Sequence, residues 1–231
     1  MRPAAAARSP LRPPADLSTI DTPAGPVSYV TDGSSDASPT VVLAPGAGAD
    51  MRAEFMDVFA KGLAGHGLGV VRFNFAYAEQ GRKSPDRQPV LEETYRAVVE
   101  HIRSTPSPAK LVLGGKSMGG RIASHIAASG TEVDGLVFLG YPLHPPGRPE
   151  RIRDAHLYDI KAPMLFVEGT RDPFCPLDTL ERVRAKITAP NDLYVVEDGD
   201  HSLKVRKSSG RSTPEAWAEV VAAVASWMSS L

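Results

Sequence analysis

The strongest constraint on the fold is the alternation of short apolar runs with helical patterns from about Val27 onward. The apolar runs predict strands at Val27–Val30, Thr40–Leu43, Val70–Phe75, Leu111–Leu113, Leu136–Leu139, Met164–Val167 and Leu193–Val196. Several runs are unbroken, which is typical of strands covered on both faces. Helical patterns lie between them at Arg52–Ala64, Val90–Arg103, Met118–Ala128 and Leu177–Ile187. This alternation predicts an α/β fold with a mostly parallel central sheet and helices on both faces.

The helix nearest the carboxyl terminus is the most clearly marked. Thr213 is expected to cap it, and Pro214 suits its first turn. Apolar side chains then recur at helical spacing, at Trp217, Val220, Val221, Val224 and Trp227.

Length and charge exclude several classes of protein. The chain has 231 residues, which suits one α/β domain over residues 24–231. A formal net charge of −1 gives no field that would recruit nucleic acid or an anionic membrane. The longest apolar runs are too short to span a bilayer. The single cysteine, Cys175, excludes an internal disulfide and a cysteine-based zinc site, and it fits a cytoplasmic location.

The amino-terminal stretch has a different composition from the rest of the chain. Its first fifteen residues contain three arginines, four prolines and no acidic residue. The prolines interrupt both the apolar core of a signal peptide and an amphipathic targeting helix. We therefore predict a disordered extension over residues 1–23.

A candidate nucleophile follows the predicted strand Leu111–Leu113. Gly115, Ser117 and Gly119 match the G-x-S-x-G nucleophile elbow, in which a serine lies on a sharp turn between a strand and a helix. Glycine two residues to either side removes side chains that would collide there. Gly120 lets the helix pack close to the sheet.

A phosphate-binding loop is the competing interpretation, because Gly-Lys-Ser also ends a Walker A motif. That motif requires a glycine five residues before Gly115, where this chain has Lys110. The spacing therefore excludes it.

A serine nucleophile needs a base and an acid, which in this fold follow it in the order acid, then histidine. Asp172 follows the predicted strand Met164–Val167, and His201 follows Leu193–Val196. Taken singly, they could be a turn-forming aspartate and an exposed loop histidine. Their joint order and positions predict a Ser117–Asp172–His201 catalytic triad. Two further acids close to the histidine in sequence, Asp198 and Asp200, are the fallback candidates.

The negatively charged intermediate of such a reaction needs hydrogen-bond donors. We expect one to be the backbone N–H of Met118, directly after the nucleophile. The second is expected to be the N–H of Ala47, next to Gly48 in the glycine-rich loop Ala44–Asp50. The alternative is that this loop is a connector with no donor role.

Four motifs resemble one branch of the α/β-hydrolases, which contains testis-expressed protein 30 and NSL complex subunit 3 and neighbours the dienelactone hydrolases. They are Pro45–Gly48, Gly114–Arg121, Tyr141–Gly147 and Gly169–Phe174. The likeness runs from about Ala24 to the carboxyl terminus, and the Gly-Lys-Ser-Met-Gly-Gly-Arg run is its most discriminating part. The resemblance implies the α/β-hydrolase fold, with the triad on the residues named above. It implies no substrate, and dienelactone hydrolases use a cysteine in the elbow.

Basic residues cluster in sequence near the strand ends and the elbow. They are Arg72, Arg82, Lys83, Arg87, Lys116 and Arg121. One hypothesis is a pocket for an anionic substrate, and the alternative is solvated surface charge. The candidate substrate contacts are Gly46, Gly48, Lys116, Arg121 and Arg72.

The proline-rich segment Tyr141–Tyr158 predicts a minimal lid and an open site. Its histidines, His144 and His156, lack a third ligand at a suitable spacing, so no metal centre is expected. The sequence thus predicts an esterase-like serine hydrolase that cleaves small carboxylic esters or thioesters through an acyl-serine, with no cofactor. Its partner would be the small-molecule substrate, with no nucleic acid or membrane. A non-catalytic interaction scaffold and an acyltransferase are the alternatives.

Overall fold

The computed structural model describes residues 17–34, 37–104 and 108–231, which form a sheet with helices packed on it. The strands are β1 (Ser18–Ile20), β2 (Val27–Asp32), β3 (Thr40–Ala44), β4 (Gly69–Phe73), β5 (Leu111–Lys116), β6 (Gly135–Leu139), β7 (Met164–Gly169) and β8 (Asn191–Val196). The helices are α1 (Glu54–Gly65), α2 (Ala76–Glu79), α3 (Gln88–Ser104), α4 (Met118–Ala128), α5 (Leu177–Arg184) and α6 (Thr213–Ser229). Short 3₁₀ helices lie at Ala155–Asp159 and Lys207–Ser209.

The strands form one eight-stranded sheet in the order β1-β2-β4-β3-β5-β6-β7-β8. The pairs β1–β2 and β2–β4 are antiparallel, and every other neighbouring pair is parallel. The prediction of a mostly parallel sheet is therefore confirmed. Because the carboxyl ends of β3, β5, β7 and β8 lie at one edge, the loops that follow them meet there.

Both faces of the sheet are covered, which explains the unbroken apolar runs. In β3, Val42 packs into a core formed with α3 and α4. The adjacent Val41 and Leu43 point to the other face and pack with α1 and α6. All three side chains are almost completely buried. A strand between two cores needs apolar residues at successive positions.

The amino-terminal boundary differs from the sequence prediction. Residues 18–20 form β1, which pairs with β2, although they fall within the extension predicted to be disordered. Ile20 is 3% exposed and belongs to the core, so burial of its side chain favours pairing at this edge. The rest of that prediction concerns residues 1–16, which lie outside the described residues.

The predicted end of β4 is corrected, and a short helix that was not predicted follows it. The strand ends at Phe73 and not at Phe75, because Phe75 has turned to become the residue before the short helix α2. Helix α2 spans only four residues, which is too short for its periodicity to be recognised in the sequence.

The connection between β6 and β7 contains only the short 3₁₀ helix Ala155–Asp159. It carries no inserted helical domain among the described residues, as a minimal lid requires. No helix in the described parts of the chain is long and apolar enough to cross a membrane.

The start of α6 differs from the prediction by one residue. Ser212, rather than Thr213, is the N-cap, and its hydroxyl accepts a hydrogen bond from the N–H of Glu215. The Glu215 carboxylate in turn accepts from the N–H of Ser212 at 2.7 Å, which completes a capping box. The hydroxyl of Thr213 instead accepts from the N–H of Val205 at 3.2 Å.

Replacement of Ser212 by alanine is expected to lower the free energy of unfolding by about 1 kcal/mol, because the first turn of α6 loses its cap. Urea unfolding followed by circular dichroism measures this change. The matched control is Ser208→Ala, at an exposed serine outside α6, in the 3₁₀ helix Lys207–Ser209. Equal stabilities of the two variants would contradict a role for the cap.

Candidate active site

The elbow serine lies where β5 passes into α4. Ser117 has φ 51° and ψ −113°, a conformation that residues with side chains rarely adopt. Its N–H donates to the carbonyl of Leu139 on the adjacent strand β6, at 3.0 Å. A Cβ added at Gly119 would lie 2.2 Å from the carbonyl oxygen of Ala44, and one at Gly115 would lie 2.4 Å from it. Both elbow glycines are therefore required by this close approach.

The structure brings the three predicted residues together. The Oγ atom of Ser117 lies 2.8 Å from Nε2 of His201. The Nδ1 atom of the same ring lies 2.7 Å from Oδ2 of Asp172. Because a carboxylate only accepts, the arrangement favours the tautomer with the proton on Nδ1. Nε2 can then accept the proton of the serine hydroxyl.

Neighbouring groups hold the acid and the histidine in place. The side chain of Asp172 is fully buried, and its Oδ1 accepts from the N–H of Phe174 at 2.8 Å. The Phe174 ring packs edge-on against the His201 ring, with centroids 4.7 Å apart. The ammonium group of Lys116 donates to the His201 carbonyl oxygen at 2.5 Å.

The two fallback acids have other partners. Asp198 accepts from Nε of Arg206 at 2.7 Å and from its backbone N–H. Asp200 accepts two backbone N–H groups of its own turn, at 2.7 and 3.0 Å. The acid that orients His201 is therefore Asp172, which is farther away in the sequence.

The glycine-rich loop after β3 forms a tight turn. The N–H of Ala49 donates to the carbonyl of Gly46 at 3.2 Å. Gly48 has φ +73°, a conformation that favours glycine. Its N–H donates to the hydroxyl of Tyr77 at 3.2 Å. Gly48 is therefore a turn residue between two residues that line the cavity, and its contact with substrate stays a prediction.

Both predicted oxyanion donors, Ala47 and Met118, belong to residues that line the same cavity as Ser117. Met118 is the first residue of α4, where backbone N–H groups have no acceptor within the helix. Gly46 lies against the elbow, since a Cβ added to it would come within 3.8 Å of the Ser117 Cβ.

The cavity at the elbow has a volume of about 520 Å³. Its wall includes three of the predicted substrate contacts, Gly46, Lys116 and Arg121. It also includes His144, Arg153 and Phe174, which the sequence analysis did not select. No sequence signal placed Arg153 there, because it lies in a connection without regular structure.

Arg72 does not reach this cavity, so its predicted contact with substrate is wrong. The guanidinium is buried, and its Nε and NH2 atoms donate to the carboxylate of Asp32 at 2.8 and 3.0 Å. A further donor, NH1, reaches the carbonyl of Met51 at 2.9 Å. The positive charge of Arg72 is therefore paired with Asp32 and links β4 to β2.

Lys116 lies in the cavity wall, but its ammonium group is committed to the His201 carbonyl. Burial lowers the pKa of Lys116 to about 8, although the carboxylates of Asp172 and Glu168 oppose this effect. Contact with substrate stays a prediction, and the observed bond fixes the loop that carries the histidine.

Glu168 is a further buried acid behind Asp172 that the sequence analysis missed. It has no exposed surface, and its Oε1 accepts from the N–H of Tyr141 at 2.5 Å. Its Oε2 is buried without a hydrogen bond to the described residues. Burial, followed by the negative charge of Asp172, raises the pKa of Glu168 well above its ordinary value. The sequence signal was an acidic residue near the end of an otherwise apolar strand.

A second serine–histidine pair joins α4, which carries Ser124, to the 3₁₀ helix Ala155–Asp159, which carries His156. The Ser124 hydroxyl is 2.9 Å from Nε2 of His156 and 3.0 Å from the Tyr141 hydroxyl. Ser124 is fully buried, so a substrate does not reach it. Among the described residues, no group of three or more histidine, cysteine or acidic side chains could hold a metal ion.

The sheet order and the serine elbow at its edge together define the class of α/β hydrolases. The model of the family described as "Alpha/beta hydrolase domain" matches residues 37–229. The chain therefore belongs to this family. The narrower branch named in the sequence analysis stays a prediction.

Solved structures share the fold at low sequence identity. A Xanthomonas campestris protein described as an α/β serine hydrolase without a lid is 23% identical, with 95% of this chain and 98% of that chain covered and a TM-score of 0.72. An α/β serine hydrolase homologue from Coxiella burnetii is 21% identical, with 91% and 97% covered and a TM-score of 0.72. A dienelactone hydrolase from Anabaena variabilis is 18% identical, with 91% and 94% covered and a TM-score of 0.72.

Glu168→Gln is expected to change how stability depends on pH. The folded protein keeps the Glu168 proton at pH values where the unfolded chain has lost it, so this group makes the free energy of unfolding fall as pH rises. The slope is up to about 1.4 kcal/mol per pH unit above a pH of about 4.5. Glutamine can still accept from Tyr141 but does not titrate. Relative to wild type, the variant should therefore gain stability between pH 5 and pH 7.

Urea unfolding at both pH values measures this difference. Lys116, with a pKa of about 8, titrates above the chosen range. The exposed Glu150 provides the control, because Glu150→Gln should follow the wild-type profile. A Glu168→Gln profile parallel to that of wild type would show that the buried carboxyl titrates normally.

Proposed function

We propose that this protein is a serine hydrolase that cleaves small carboxylic esters or thioesters through an acyl-serine intermediate. The observation that carries the proposal is the continuous relay from Ser117 through His201 to the buried Asp172, with bonds of 2.8 and 2.7 Å. Two structural relatives described as serine hydrolases support the reaction class. The cavity beside the hydroxyl gives room for a small substrate.

In the first half of the reaction, Oγ of Ser117 attacks the carbonyl carbon of the ester. Nε2 of His201 takes the hydroxyl proton as the carbon–oxygen bond forms. The resulting imidazolium is stabilised by the carboxylate of Asp172, which holds the ring through Nδ1. Burial of Asp172 keeps water from competing for that hydrogen bond.

The attack places a negative charge on the former carbonyl oxygen. The N–H groups of Met118 and Ala47 are the proposed donors to it, since both residues line the cavity next to Ser117. The amino-terminal end of α4 adds a favourable partial positive charge.

The intermediate collapses when the bond to the leaving group breaks. His201 returns its proton to the departing alcohol or thiol, which leaves the acyl group on Ser117. Water then attacks the acyl carbon, with His201 accepting a water proton and returning it to Oγ. The products are the carboxylic acid and the free serine.

A fluorophosphonate probe tests the proposal, because it reacts covalently with an activated serine. We expect wild-type protein to be labelled at one site, Ser117→Ala to be unlabelled, and His201→Ala to react at least about a hundredfold more slowly. Mass spectrometry of the labelled peptide identifies the site. Hydrolysis of 4-nitrophenyl acetate should fall in parallel.

Ser124→Ala is the matched control, because Ser124 lies on α4 and also pairs with a histidine, His156, but is buried. This variant should be labelled at Ser117. Folded wild-type protein that resists the probe, or labelling that persists in Ser117→Ala, would refute the proposed nucleophile. Circular dichroism confirms that each variant is folded.

A further inference from the structure

Two arginines lie in the wall of the active-site cavity. Arg121 is on α4, one helical turn after Ser117, and Arg153 is in the connection between β6 and β7. The backbone N–H of Arg153 donates to the carbonyl of Leu143 at 2.8 Å, which fixes this part of the connection. No aspartate or glutamate of the described chain lines the cavity. The wall beside the nucleophile is therefore positively charged.

The guanidinium of Arg121 is held by only one of its nitrogens. NH1 donates to Oε1 of Gln88 at 3.1 Å and lies 3.0 Å from Nε2 of His125. Since arginine only donates, that histidine nitrogen acts as the acceptor. The Nε and NH2 atoms of Arg121 have no hydrogen bond to the described residues. Two donors of a fixed, planar group remain available to a ligand.

The histidines beside Arg121 do not carry a competing charge. The rings of His125 and His156 stack with centroids 3.6 Å apart. Burial, together with the positive charge of Arg121, lowers the pKa of His125 to about 4. Burial, followed by the neighbouring His125, lowers the pKa of His156 to about 3. Both rings are therefore neutral near pH 7.

No carboxylate of the described chain lies within ion-pair distance of either arginine. The nearby Glu92 is bound by Arg96 at 3.1 Å. Asp154, next to Arg153 in sequence, accepts from the hydroxyl of Tyr158 at 2.5 Å. Burial lowers the pKa of Arg121, and the positive charge of Arg153 adds to this effect. Tyr141 and Glu92 act on this pKa in the opposite direction, but no carboxylate of the described residues forms an ion pair with Arg121.

A second cavity begins at the same two side chains. It has a volume of about 320 Å³, and both Arg121 and Arg153 line it as well as the active-site cavity. Asp154 also lines the second cavity, and its Oδ2 accepts from the Tyr158 hydroxyl. The two arginines therefore lie where the active-site cavity and the second cavity meet. A substrate arm that leaves the reacting carbonyl has room to end at this junction.

We propose that Arg121 and Arg153 form an anion subsite, and that the substrates of this protein are esters or thioesters carrying a carboxylate or phosphate group on an arm beside the scissile bond. The inference rests on the proposed hydrolase function and names its substrate class. Planar guanidinium groups with free donors bind the oxygens of either anion in the same way.

Two pairs of substrates test the subsite, each with and without a carboxylate. On the acyl side, 4-nitrophenyl hexanoate is compared with the 4-nitrophenyl monoester of adipic acid. On the leaving-group side, phenyl acetate is compared with 4-acetoxybenzoate. We expect kcat/KM for the anionic member of at least one pair to exceed that of its neutral partner by tenfold or more. Equal or lower values in both pairs would overturn the proposal.

Variants then assign the preference to the two arginines. The ratio of anionic to neutral kcat/KM is expected to fall by about tenfold in Arg121→Gln and further in the Arg121→Gln, Arg153→Gln double variant, because charge-assisted hydrogen bonds are lost. Arg151→Gln, in the same connection but outside both cavities, should keep the wild-type ratio. A ratio that is unchanged in the double variant, or that falls equally in Arg151→Gln, would refute the assignment.

A binding measurement separates failure of the subsite from failure of the hydrolase. Ser117→Ala protein is titrated calorimetrically with adipate and with inorganic phosphate, and Kd should rise at least tenfold when Arg121 and Arg153 are also replaced. The ligand with the lower Kd identifies the anion that the subsite prefers. Arginine-dependent binding without hydrolysis of any ester would retain the subsite and refute the proposed hydrolase. Ester hydrolysis with neither arginine-dependent binding nor a preference for anionic substrates would retain the proposed hydrolase and refute the subsite.

Discussion

The close approach of the elbow to the end of β3 fixes the geometry on which the site depends. Gly115 and Gly119 both lie against the carbonyl oxygen of Ala44, at distances that leave no room for a Cβ. This contact brings β3, β5 and α4 together at one point and holds Ser117 in a strained conformation. The same contact places the loop containing Gly46 and Ala47 beside the hydroxyl. A single packing constraint therefore positions both the proposed nucleophile and one proposed oxyanion donor.

Burial determines which of the two acids next to His201 keeps its proton. Asp172 and Glu168 are both buried behind the ring, and two neighbouring carboxylates in such a place do not both ionise readily. Burial, followed by the negative charge of Asp172, raises the pKa of Glu168, so Glu168 is the acid that keeps its proton, and Asp172 is the acid that contacts the histidine. Lys116, bound to the carbonyl of His201, connects this cluster to the loop that carries the ring. The fold thus distinguishes two chemically similar acids by their surroundings.

Two of the basic residues that the sequence analysis grouped with the site, Arg72 and Arg121, have opposite surroundings. Arg72 is satisfied by Asp32 and by a backbone carbonyl, so its charge stabilises the contact between two strands. Arg121 lies in the cavity with two donors unused and a second arginine nearby. The positions of the two arginines in the sequence do not predict this difference. The difference depends on which acidic residues the folded sheet brings within hydrogen-bond distance of each guanidinium.

The sequence by itself determined the layered α/β architecture and the identity of the residues in the relay. Apolar periodicity reports burial on two faces, and the glycines around Ser117 report a turn in which no larger residue fits. The acid and histidine could be found because a parallel sheet brings the ends of its strands to one edge. The tertiary structure alone decided that Asp198 and Asp200 have other hydrogen-bond partners, that Glu168 lies behind Asp172, and that Arg153 lies in the same cavity wall as Arg121. Those outcomes depend on contacts between segments far apart in the chain, and no local pattern encodes such distances.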